Sequence, residues 1–241
     1  MALVVAAGMF STASIAQSSP VDSKAIEQAV QKLLRERPEL VRDALMALEK
    51  KEAAAKARNA KALIGKLGAV IASEQGATVL GNPLGKVTVI EFIDYRCGYC
   101  KSVSATVAEV VRQDGNVRLV MKEFPILGPA SVIASRAALA AWRLDRAKYL
   151  PFHKAMMDNK GELSESRVMQ IAASQGLDTS RLAKAIQDPE IDGALLRNME
   201  LAKALDINGT PAFVIGGQVV PGAIGADGLK KLIAEARLKG S

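Results

Sequence analysis

A run of β-branched residues that leads directly into a pair of cysteines constrains the fold of this chain more than any other feature. Residues 87–93, which read Val-Thr-Val-Ile-Glu-Phe-Ile, predict a buried strand, and Cys97 opens a helical pattern that continues to about Arg112. After a turn at Asp114-Gly115-Asn116, residues 117–124 predict the next strand. A strand, a helix and a strand at this spacing form a βαβ unit, in which the two strands are parallel.

The rest of the chain predicts a helical block followed by a hairpin. Residues 130–206 carry only helical signals, in five segments separated by short breaks. Residues 212–215 and 218–220 predict a hairpin through Gly216-Gly217, and residues 227–238 predict a closing helix. The expected fold class is therefore α/β, with an all-helical insertion between the βα half and the ββα half of one sheet.

Composition excludes several classes of protein. Apolar residues make up 49% of the 241 residues, which is enough for a packed core and excludes an intrinsically disordered chain. Aromatic residues make up only 4%, which argues against a large β-sandwich. The formal charge of +7 is spread along the chain, so it indicates solubility and not a continuous basic surface that binds nucleic acid. No nucleic-acid partner is therefore expected.

The segment before the α/β part predicts two helices with an apolar stripe. Asp22 or Ser23 can cap the first helix, and Pro38 predicts a break before a second helix that starts at about Glu39. The stripe is too narrow to bury itself as a monomeric bundle, so it needs a partner, either the main domain or copies of itself. Its apolar residues recur at helical spacing: Ile26, Val30, Leu33, Leu34, Val41, Leu45 and Leu48.

The first sixteen residues read as the apolar part of a secretory signal. The apolar stretch from Leu3 to Phe10 is followed by small residues that end at Ala16, where cleavage is expected. The alternatives are a retained membrane anchor and a cytosolic start. For an anchor, the apolar run fails near Ser11, short of the roughly 20 residues that span a bilayer. Export places the protein in an oxidising compartment.

Glycine and proline mark the joint between the N-terminal segment and the α/β part. Five glycines and a proline between Gly65 and Gly85 predict a linker. The expected organisation is a signal peptide at 1–16, an N-terminal helical oligomerisation segment at 17–64, the linker at 65–85, the first part of the α/β domain at 86–129, the helical insertion at 130–206 and the second part of the α/β domain at 207–241.

The only two cysteines, Cys97 and Cys100, form the motif Cys97-Gly98-Tyr99-Cys100. A disulfide that closes so small a loop adds little stability, so a chemical role is favoured over a local structural clip. At the start of a helix, unpaired backbone N–H groups and the helix dipole favour a thiolate at Cys97, which is the nucleophile in disulfide exchange. Cys100, one turn later, is placed to resolve a mixed disulfide. A zinc site is disfavoured because it needs four ligands and the chain adds only one histidine, His153.

Two further features belong with the cysteines. Thr210-Pro211 opens the late strand, and a cis peptide there would expose backbone groups of Thr210 for pairing with an extended substrate beside Cys97; the alternative is a trans proline that only ends the preceding helix. Glu91 lies in the apolar strand six residues before Cys97. If buried, it has a raised pKa and can relay the proton of the resolving thiol, with Lys122 as a candidate partner. The alternative is a solvent-facing acid on an edge strand.

His153 is interpreted as a structural or surface histidine. A copper site built from His153, Met156 and Met157 is the alternative on grounds of ligand softness. Methionines at helical spacing are more often core residues, so we expect neither a cofactor nor a metal site.

Three motifs together resemble one family: Glu91-Phe92 before the Cys97-Gly98-Tyr99-Cys100 motif, Phe124-Pro125-Ile126-Leu127-Gly128, and Gly209-Thr210-Pro211-Ala212-Phe213. The chain resembles the DsbA-like thiol:disulfide oxidoreductases, which are thioredoxin folds with an inserted helical domain. Within them it is similar to the branch of the suppressor-of-copper-sensitivity protein C, which has an N-terminal helical extension. The resemblance covers about residues 79–238 and, more loosely, 22–64.

The resemblance implies roles for individual residues. Cys97 would be the exposed nucleophile, Cys100 the resolving thiol and Glu91 the buried acid. Thr210 and Pro211 would form the cis-proline loop and bind substrate together with Gly98 and Tyr99. The pairs Gly98-Tyr99 and Thr210-Pro211 look like those of periplasmic disulfide isomerases, whereas the strong oxidase of the family has Pro-His and Val-Pro there. We therefore expect a less oxidising cysteine pair.

The expected function is a periplasmic thiol:disulfide interchange protein that isomerises or shuttles disulfides in secreted proteins. Its expected partners are unfolded or misoxidised secreted proteins, a membrane-bound redox partner and copies of itself, as a trimer or a dimer. Deletion of residues 17–64 should then give a monomer. The alternatives are a disulfide-donating oxidase and a copper(I)-binding protein that uses the same cysteines.

Overall fold

The computed structural model describes residues 22–73 and 77–239, so the predicted signal peptide at 1–16 lies outside the described residues. None of the helices in these two ranges is long and apolar enough to cross a membrane. The chain divides into two compact units between Glu52 and Ala53.

The N-terminal unit contains helix α1 (Ser23–Glu36) and the first part of helix α2 (Glu39–Ser73). The Asp22 carboxylate accepts a hydrogen bond from the backbone N–H of Lys24 and caps α1, and the chain breaks at Pro38, as predicted. No side chain of α1 is buried. The apolar stripe is between 44% and 55% exposed, and it includes Met46 in addition to the predicted residues. This unit therefore leaves its apolar stripe open to solvent.

The second unit begins within α2, which extends well beyond the predicted end of the helical segment. Ala60 is buried, and Leu63 and Ile64 pack against the same apolar cluster on one face of the sheet. The helix continues through Gly65 and Gly68 to Ser73, and a short strand, β1 (Thr78–Gly81), follows. The described residues between 65 and 85 thus lie largely in regular structure, where the glycines predict a linker.

The described residues form a five-stranded sheet in the order β1-β3-β2-β4-β5. Strands β2 (Val87–Ile93) and β3 (Val117–Glu123) are parallel and are connected by helix α3 (Gly98–Asp114), as the βαβ pattern predicts. Strands β4 (Ala212–Ile215) and β5 (Gln218–Pro221) form the predicted hairpin, and β4 pairs antiparallel with β2. Strand β2 is therefore central, which places its carboxyl end, and Cys97 after it, in the middle of the sheet.

The helical insertion lies between β3 and β4, where every residue is described. Its helices coincide with the five predicted segments: α4 (Pro129–Leu144), α5 (Arg146–Asp158), α6 (Glu165–Ser174), α7 (Thr179–Ala185) and α8 (Pro189–Ala204). The closing helix, α9 (Ala226–Leu238), packs with α3 and the inserted helices on one face of the sheet. Residues of α2 and α8 cover the other face.

Strand β1 is missing from the sequence prediction because it is short and lies between glycines. Two of these glycines allow two chain segments to approach each other closely. A Cβ at Gly81, which has φ of +69°, would lie 2.6 Å from the carbonyl oxygen of Val117, and a Cβ at Gly85 would lie 2.7 Å from the backbone nitrogen of Arg118. The glycines that suggest a linker are therefore required where β1 and its following turn pass against β3.

Candidate active site

Cys97 is the N-cap residue of α3, at the point where the central strand β2 gives way to the helix. Its backbone N–H donates to the carbonyl oxygen of Asp94 at 3.0 Å, and its own carbonyl accepts from the N–H of Lys101 at 3.1 Å. The side chain consequently lies at the positive end of the α3 dipole. This position suits a sulfur that must carry negative charge during disulfide exchange.

The Thr210-Pro211 segment lies directly against Cys97. The Cys97 Sγ atom is 3.1 Å from the carbonyl oxygen of Thr210, and the Thr210-Pro211 peptide is cis. The antiparallel pairing of Phe92 with Ala212 brings the two segments together, because it aligns the end of β2 with the start of β4. Cys97 is only 7% exposed, whereas the family resemblance implies an exposed nucleophile. The Thr210 loop is part of what covers it.

Cys100 lies in the first turn of α3 and is 1% exposed. Burial raises the pKa of its thiol well above the ordinary range, because the charged thiolate loses its hydration there. Both cysteines are free thiols in this structure. A buried thiol of this kind cannot attack its neighbour until a nearby base removes its proton.

Glu91 is a buried carboxyl group on the central strand. It is 3% exposed and lies between Met121 of β3 and Phe213 of β4, on the face of the sheet that α3 covers. Burial alone raises the pKa of Glu91 to about 8, because its charged form is poorly solvated. An acid with this pKa exchanges its proton readily near neutral pH. The alternative of a solvent-facing acid on an edge strand is wrong.

Lys122, the candidate partner of Glu91, lies on the other face of the sheet. Strand register pairs it with Phe92, whereas Glu91 pairs with Met121. Side chains alternate between the two faces of a strand, so Lys122 points away from Glu91. Accordingly, no charge from Lys122 contributes to the pKa of Glu91.

The surface around Cys97 combines exposed backbone and apolar side chains. Gly98 is exposed and Tyr99 is 71% exposed, so the two residues between the cysteines face solvent. The neighbouring loop presents Ile126 and Leu127, which are also exposed. Together these residues form an apolar rim beside Cys97.

Asp94 holds this rim in place, and the sequence interpretation did not single it out. Its fully buried carboxylate accepts hydrogen bonds from the backbone N–H groups of Arg96 (2.7 Å), Ile126 (2.9 Å) and Leu127 (3.1 Å), and from the hydroxyl of Ser131 (2.8 Å). The cysteine loop and the 126–127 loop are thus fixed to one carboxylate. An acidic residue just past the end of a strand and before a helix is the sequence signal that could have indicated this role.

A second buried polar group connects the sheet to the helical insertion. The Tyr95 hydroxyl lies 2.8 Å from Nδ1 of His153 and 3.3 Å from Oε1 of Glu123, whose Oε2 accepts from the hydroxyl of Ser135 at 2.8 Å. His153 is buried and stacks on Tyr149, with ring centroids 5.7 Å apart. Burial lowers the pKa of His153 to about 4 and raises that of Glu123 to about 8. His153 is therefore a structural histidine, and it is neutral at pH 7.

Removing the Tyr95 hydroxyl is expected to lower the free energy of unfolding by about 2 kcal/mol, because Tyr95→Phe leaves buried partners on both sides without a hydrogen bond. Urea unfolding followed by circular dichroism measures this. Tyr99→Phe is the matched control, since it removes an exposed hydroxyl and should change stability by less than about 0.5 kcal/mol. Equal effects of the two substitutions would show that the buried network contributes nothing.

The described residues contain no group of three or more His, Cys, Asp or Glu side chains arranged to hold a metal ion. The copper alternative also needs Met156 and Met157, which are both buried in the apolar core. Nδ1 of His153 already faces the Tyr95 hydroxyl.

Comparison with known proteins matches the chain to one family model and to two kinds of curated protein. A family model described as Thioredoxin matches residues 73–235. The chain is similar to the Na(+)/H(+) antiporter NhaA 3 of Salinispora tropica, with 26% identity over 196 residues that cover 77% of this chain and 30% of that protein. It is also similar to disulfide bond formation protein D of Bacillus subtilis, with 24% identity over 187 residues that cover 70% of this chain and 80% of that protein. The chain spans only 28–30% of the length of the first two curated relatives.

Solved structures match over nearly the whole of their own chains. A thioredoxin-like oxidoreductase from Silicibacter pomeroyi is 43% identical, with a TM-score of 0.68 over 70% of this chain and 97% of that chain. A linker-deletion mutant of ScsC from Proteus mirabilis is 26% identical, with a TM-score of 0.69 over 94% and 100%. The thiol-disulfide exchange protein alpha-DsbA2 from Wolbachia pipientis is 30% identical, with a TM-score of 0.69 over 74% and 97%. These matches agree with the α/β fold and helical insertion described above.

Proposed function

The chain belongs to the thioredoxin family, and from this membership we propose that it is a thiol:disulfide oxidoreductase of the DsbA and ScsC type that acts through Cys97 and Cys100. One observation carries the proposal: the Sγ atom of Cys97 stands at the start of a helix and 3.1 Å from the carbonyl oxygen before a cis-proline. This arrangement leaves one sulfur poised for attack, with a backbone segment beside it that can hold an extended client.

The reaction proceeds by two sulfur-to-sulfur displacements. The thiolate of Cys97 attacks one sulfur of a client disulfide, a new S–S bond forms, and the other client sulfur leaves as a thiolate. Isomerisation follows when a client thiolate attacks this mixed disulfide and frees Cys97 again, with no net oxidation. Alternatively, the thiolate of Cys100 attacks Cys97 Sγ, which releases the reduced client and leaves the Cys97–Cys100 pair oxidised.

Glu91 serves the second displacement as a proton acceptor. The thiol of Cys100 is buried and has a raised pKa, so it needs a base before it can attack. Glu91 is buried on the sheet face that α3 covers, and its pKa of about 8 matches the task near neutral pH. In the reverse direction, the protonated Glu91 returns the proton to the departing Cys100 thiolate.

Client binding is assigned to the surface around Cys97. The backbone groups of Thr210, next to Pro211, pair with an extended client segment, while Gly98 lets the client backbone approach closely. The exposed Tyr99, with the apolar rim at 126–127, favours clients whose apolar side chains are not yet buried. Unfolded or misoxidised secreted proteins have this character.

Isomerase or shuttle activity is favoured over primary oxidation by the residues near the sulfurs. Gly98-Tyr99 offers no side-chain cation or histidine donor to stabilise the Cys97 thiolate, so the cysteine pair is less oxidising than one with a histidine between the cysteines. An isomerase must be kept reduced, so a membrane-bound electron donor is the implied redox partner. The expected signal peptide at 1–16 then places the protein in the periplasm.

The apolar stripe of the N-terminal unit is assigned to self-association as a trimer or a dimer. Its residues are about half exposed although they recur at helical spacing, which is the pattern of a face that is covered in an oligomer. Self-association places several copies of Cys97 around one client, which suits an isomerase because it must find and rearrange wrong disulfides.

A full-length double variant, Leu33→Glu with Leu45→Glu, is expected to sediment as a monomer, because two charges in each stripe oppose its burial. The rate at which it recovers scrambled ribonuclease should fall about tenfold. The matched control, Gln28→Glu with Gln31→Glu, adds the same charges at exposed polar positions of α1 and should keep both properties. A shortened chain that starts at Ala53 tests the same point and keeps Ala60, Leu63 and Ile64, which belong to the core.

Two results would contradict the proposal. An unchanged sedimentation mass in the stripe variant would remove the assigned oligomerisation face. If the intact protein fails to rescue scrambled ribonuclease but rapidly oxidises reduced ribonuclease, the chain is a disulfide donor. Its Gly98-Tyr99 and Thr210-Pro211 pairs then do not indicate isomerase activity.

A further inference from the structure

A cavity of about 430 Å³ lies behind the active site, between the sheet and helices α3 and α5. Its wall is mostly hydrocarbon. Strands β1, β2 and β3 contribute Leu80, Ile93, Leu119 and Met121, whereas the helices contribute Ala105, Val107, Ala108, Val111, Leu150 and Met157. A space of this size and lining accommodates a small organic molecule.

Two buried polar side chains line this cavity, and one has no partner. Among the described residues, none donates a hydrogen bond to the Glu91 carboxyl, and burial is the sole cause of its raised pKa. His153 holds the Tyr95 hydroxyl through Nδ1, and no described residue bonds to its Nε2. A buried carboxyl group that lacks a donor in an otherwise apolar cavity is costly unless something binds it.

The cavity has a charged mouth that is balanced in sign. Arg112 pairs with Glu109 at 2.7 Å on α3, and Lys154 pairs with Asp158 on α5. Since these exposed pairs neutralise one another, the mouth favours neither sign of ligand. Glu91, which accepts no hydrogen bond from any described residue, is therefore the group inside the cavity that selects the charge of the ligand.

We propose that this cavity binds a small organic amine. The hydrocarbon body of the amine packs against the apolar wall, and its single ammonium group pairs with the Glu91 carboxylate. The hydrocarbon body gains its free energy by leaving water. The ammonium supplies the charge and the donors that the carboxylate lacks. An alcohol of the same shape gives up the charge, and an organic acid would place a second negative charge beside the first.

The binding depends on pH because Glu91 must be ionised to pair with the ammonium. With a pKa of about 8, roughly one tenth of Glu91 is ionised at pH 7 and roughly nine tenths at pH 9. Affinity for the amine should thus rise about tenfold over that range, in which an alkylammonium keeps its proton. Among the described residues, the other titratable or charged groups that face the cavity or interact with Glu91 are Glu109 and Arg112 on α3, Tyr149, His153, Lys154 and Asp158 on α5, and Glu123 on β3.

The test uses 3-phenylpropan-1-amine as the probe and 3-phenylpropan-1-ol as its uncharged match. Both are titrated into the full-length protein, and the methyl signals of Met121 and Met157, which line the cavity, are followed by NMR. Ala108→Phe fills the cavity from α3. Ala234→Phe, at an exposed position of α9, is the matched control.

Saturable binding of the amine is expected, with an affinity at least about tenfold above that of the alcohol and about tenfold higher at pH 9 than at pH 7. Ala108→Phe should weaken binding at least about tenfold, and Ala234→Phe should leave it unchanged. Equal affinity for amine and alcohol, an affinity independent of pH, or undiminished binding in Ala108→Phe would each overturn the proposal.

Occupancy has a consequence that rests on the proposed function: a bound ammonium keeps Glu91 ionised and so prevents it from returning a proton to Cys100. The binding experiment does not use thiol chemistry at all. An inactive protein that binds the amine would overturn only the proposed function, and an active protein that does not bind it would overturn only the amine site.

Discussion

The Cys97→Ser variant is expected to recover scrambled ribonuclease no faster than the glutathione buffer alone, a loss of about a thousandfold or more in the catalysed rate. A hydroxyl at the start of α3 does not ionise near neutral pH, so the variant lacks the nucleophile that attacks the client disulfide. Substitution of the sulfur that lies 3.1 Å from the carbonyl oxygen of Thr210 therefore removes the first displacement, upon which every later step depends.

Cys100→Ser is the matched control, because it changes the same atom three residues away. It keeps the first displacement but lacks the sulfur that releases the client, so clients should accumulate as mixed disulfides on Cys97. Non-reducing gel electrophoresis followed by mass spectrometry detects these complexes. Comparable turnover in Cys97→Ser and the unmodified protein would contradict the role of Cys97. Mixed disulfides that form on Cys100 in Cys97→Ser, but not on Cys97 in Cys100→Ser, would reverse the two roles.

Replacing Glu91 by glutamine is expected to stabilise the protein by about 3 kcal/mol more at pH 8 than at pH 5. The folded protein holds a proton on Glu91 up to a pKa of about 8, whereas the unfolded chain releases it near the ordinary value of 4.5. The unmodified protein therefore loses stability as the pH rises from about 4.5 to about 8. The amide of Glu91→Gln does not titrate, so this loss is absent from the variant.

The difference between the two pH profiles isolates Glu91. Glu123 also has a pKa near 8 and weakens the fold over the same range, whereas His153, with a pKa near 4, weakens it as the pH falls below about 6.5. Both residues remain in the variant, so the contribution of His153 cancels. That of Glu123 cancels except for its repulsion by the Glu91 carboxylate, which is the smallest of the causes that act on the pKa of Glu123. Urea unfolding at pH 5 and pH 8 measures the effect, with the exposed Glu200→Gln as control. Parallel profiles for Glu91→Gln and the unmodified protein would mean that Glu91 is ionised in the folded state.

The sequence patterns predicted the elements whose signals are local. The β-branched run at 87–93, the glycines of the hairpin and the helical signals at 130–206 each act within a few residues, and the structure has strands and helices at these positions. The same holds for the cysteine pair, because its place between a strand and a helix follows from those two patterns.

The features that the sequence could not indicate depend on tertiary contacts. Strand β1 exists because it pairs with β3, and α2 extends past Gly65 in the unit where Ala60 packs on the sheet. The place of Asp94 between a strand and a helix marks it as a local acceptor, but nothing local indicates that it also binds the 126–127 loop. Nor does anything local bring Tyr95 to His153, 58 residues further along the chain. Likewise, the register that turns Lys122 away from Glu91 became evident only from the paired strands.

The two residues between the cysteines lie outside the packing that holds the cysteines in place. Tyr99 is largely exposed, and a Cβ at position 98 would have no heavy atom within 4 Å. The loops around them are instead anchored from below by Asp94. The dipeptide can therefore be exchanged during evolution, or by a protein engineer, without disturbing the fold. The reduction potential of the cysteine pair can thus change while the architecture stays the same.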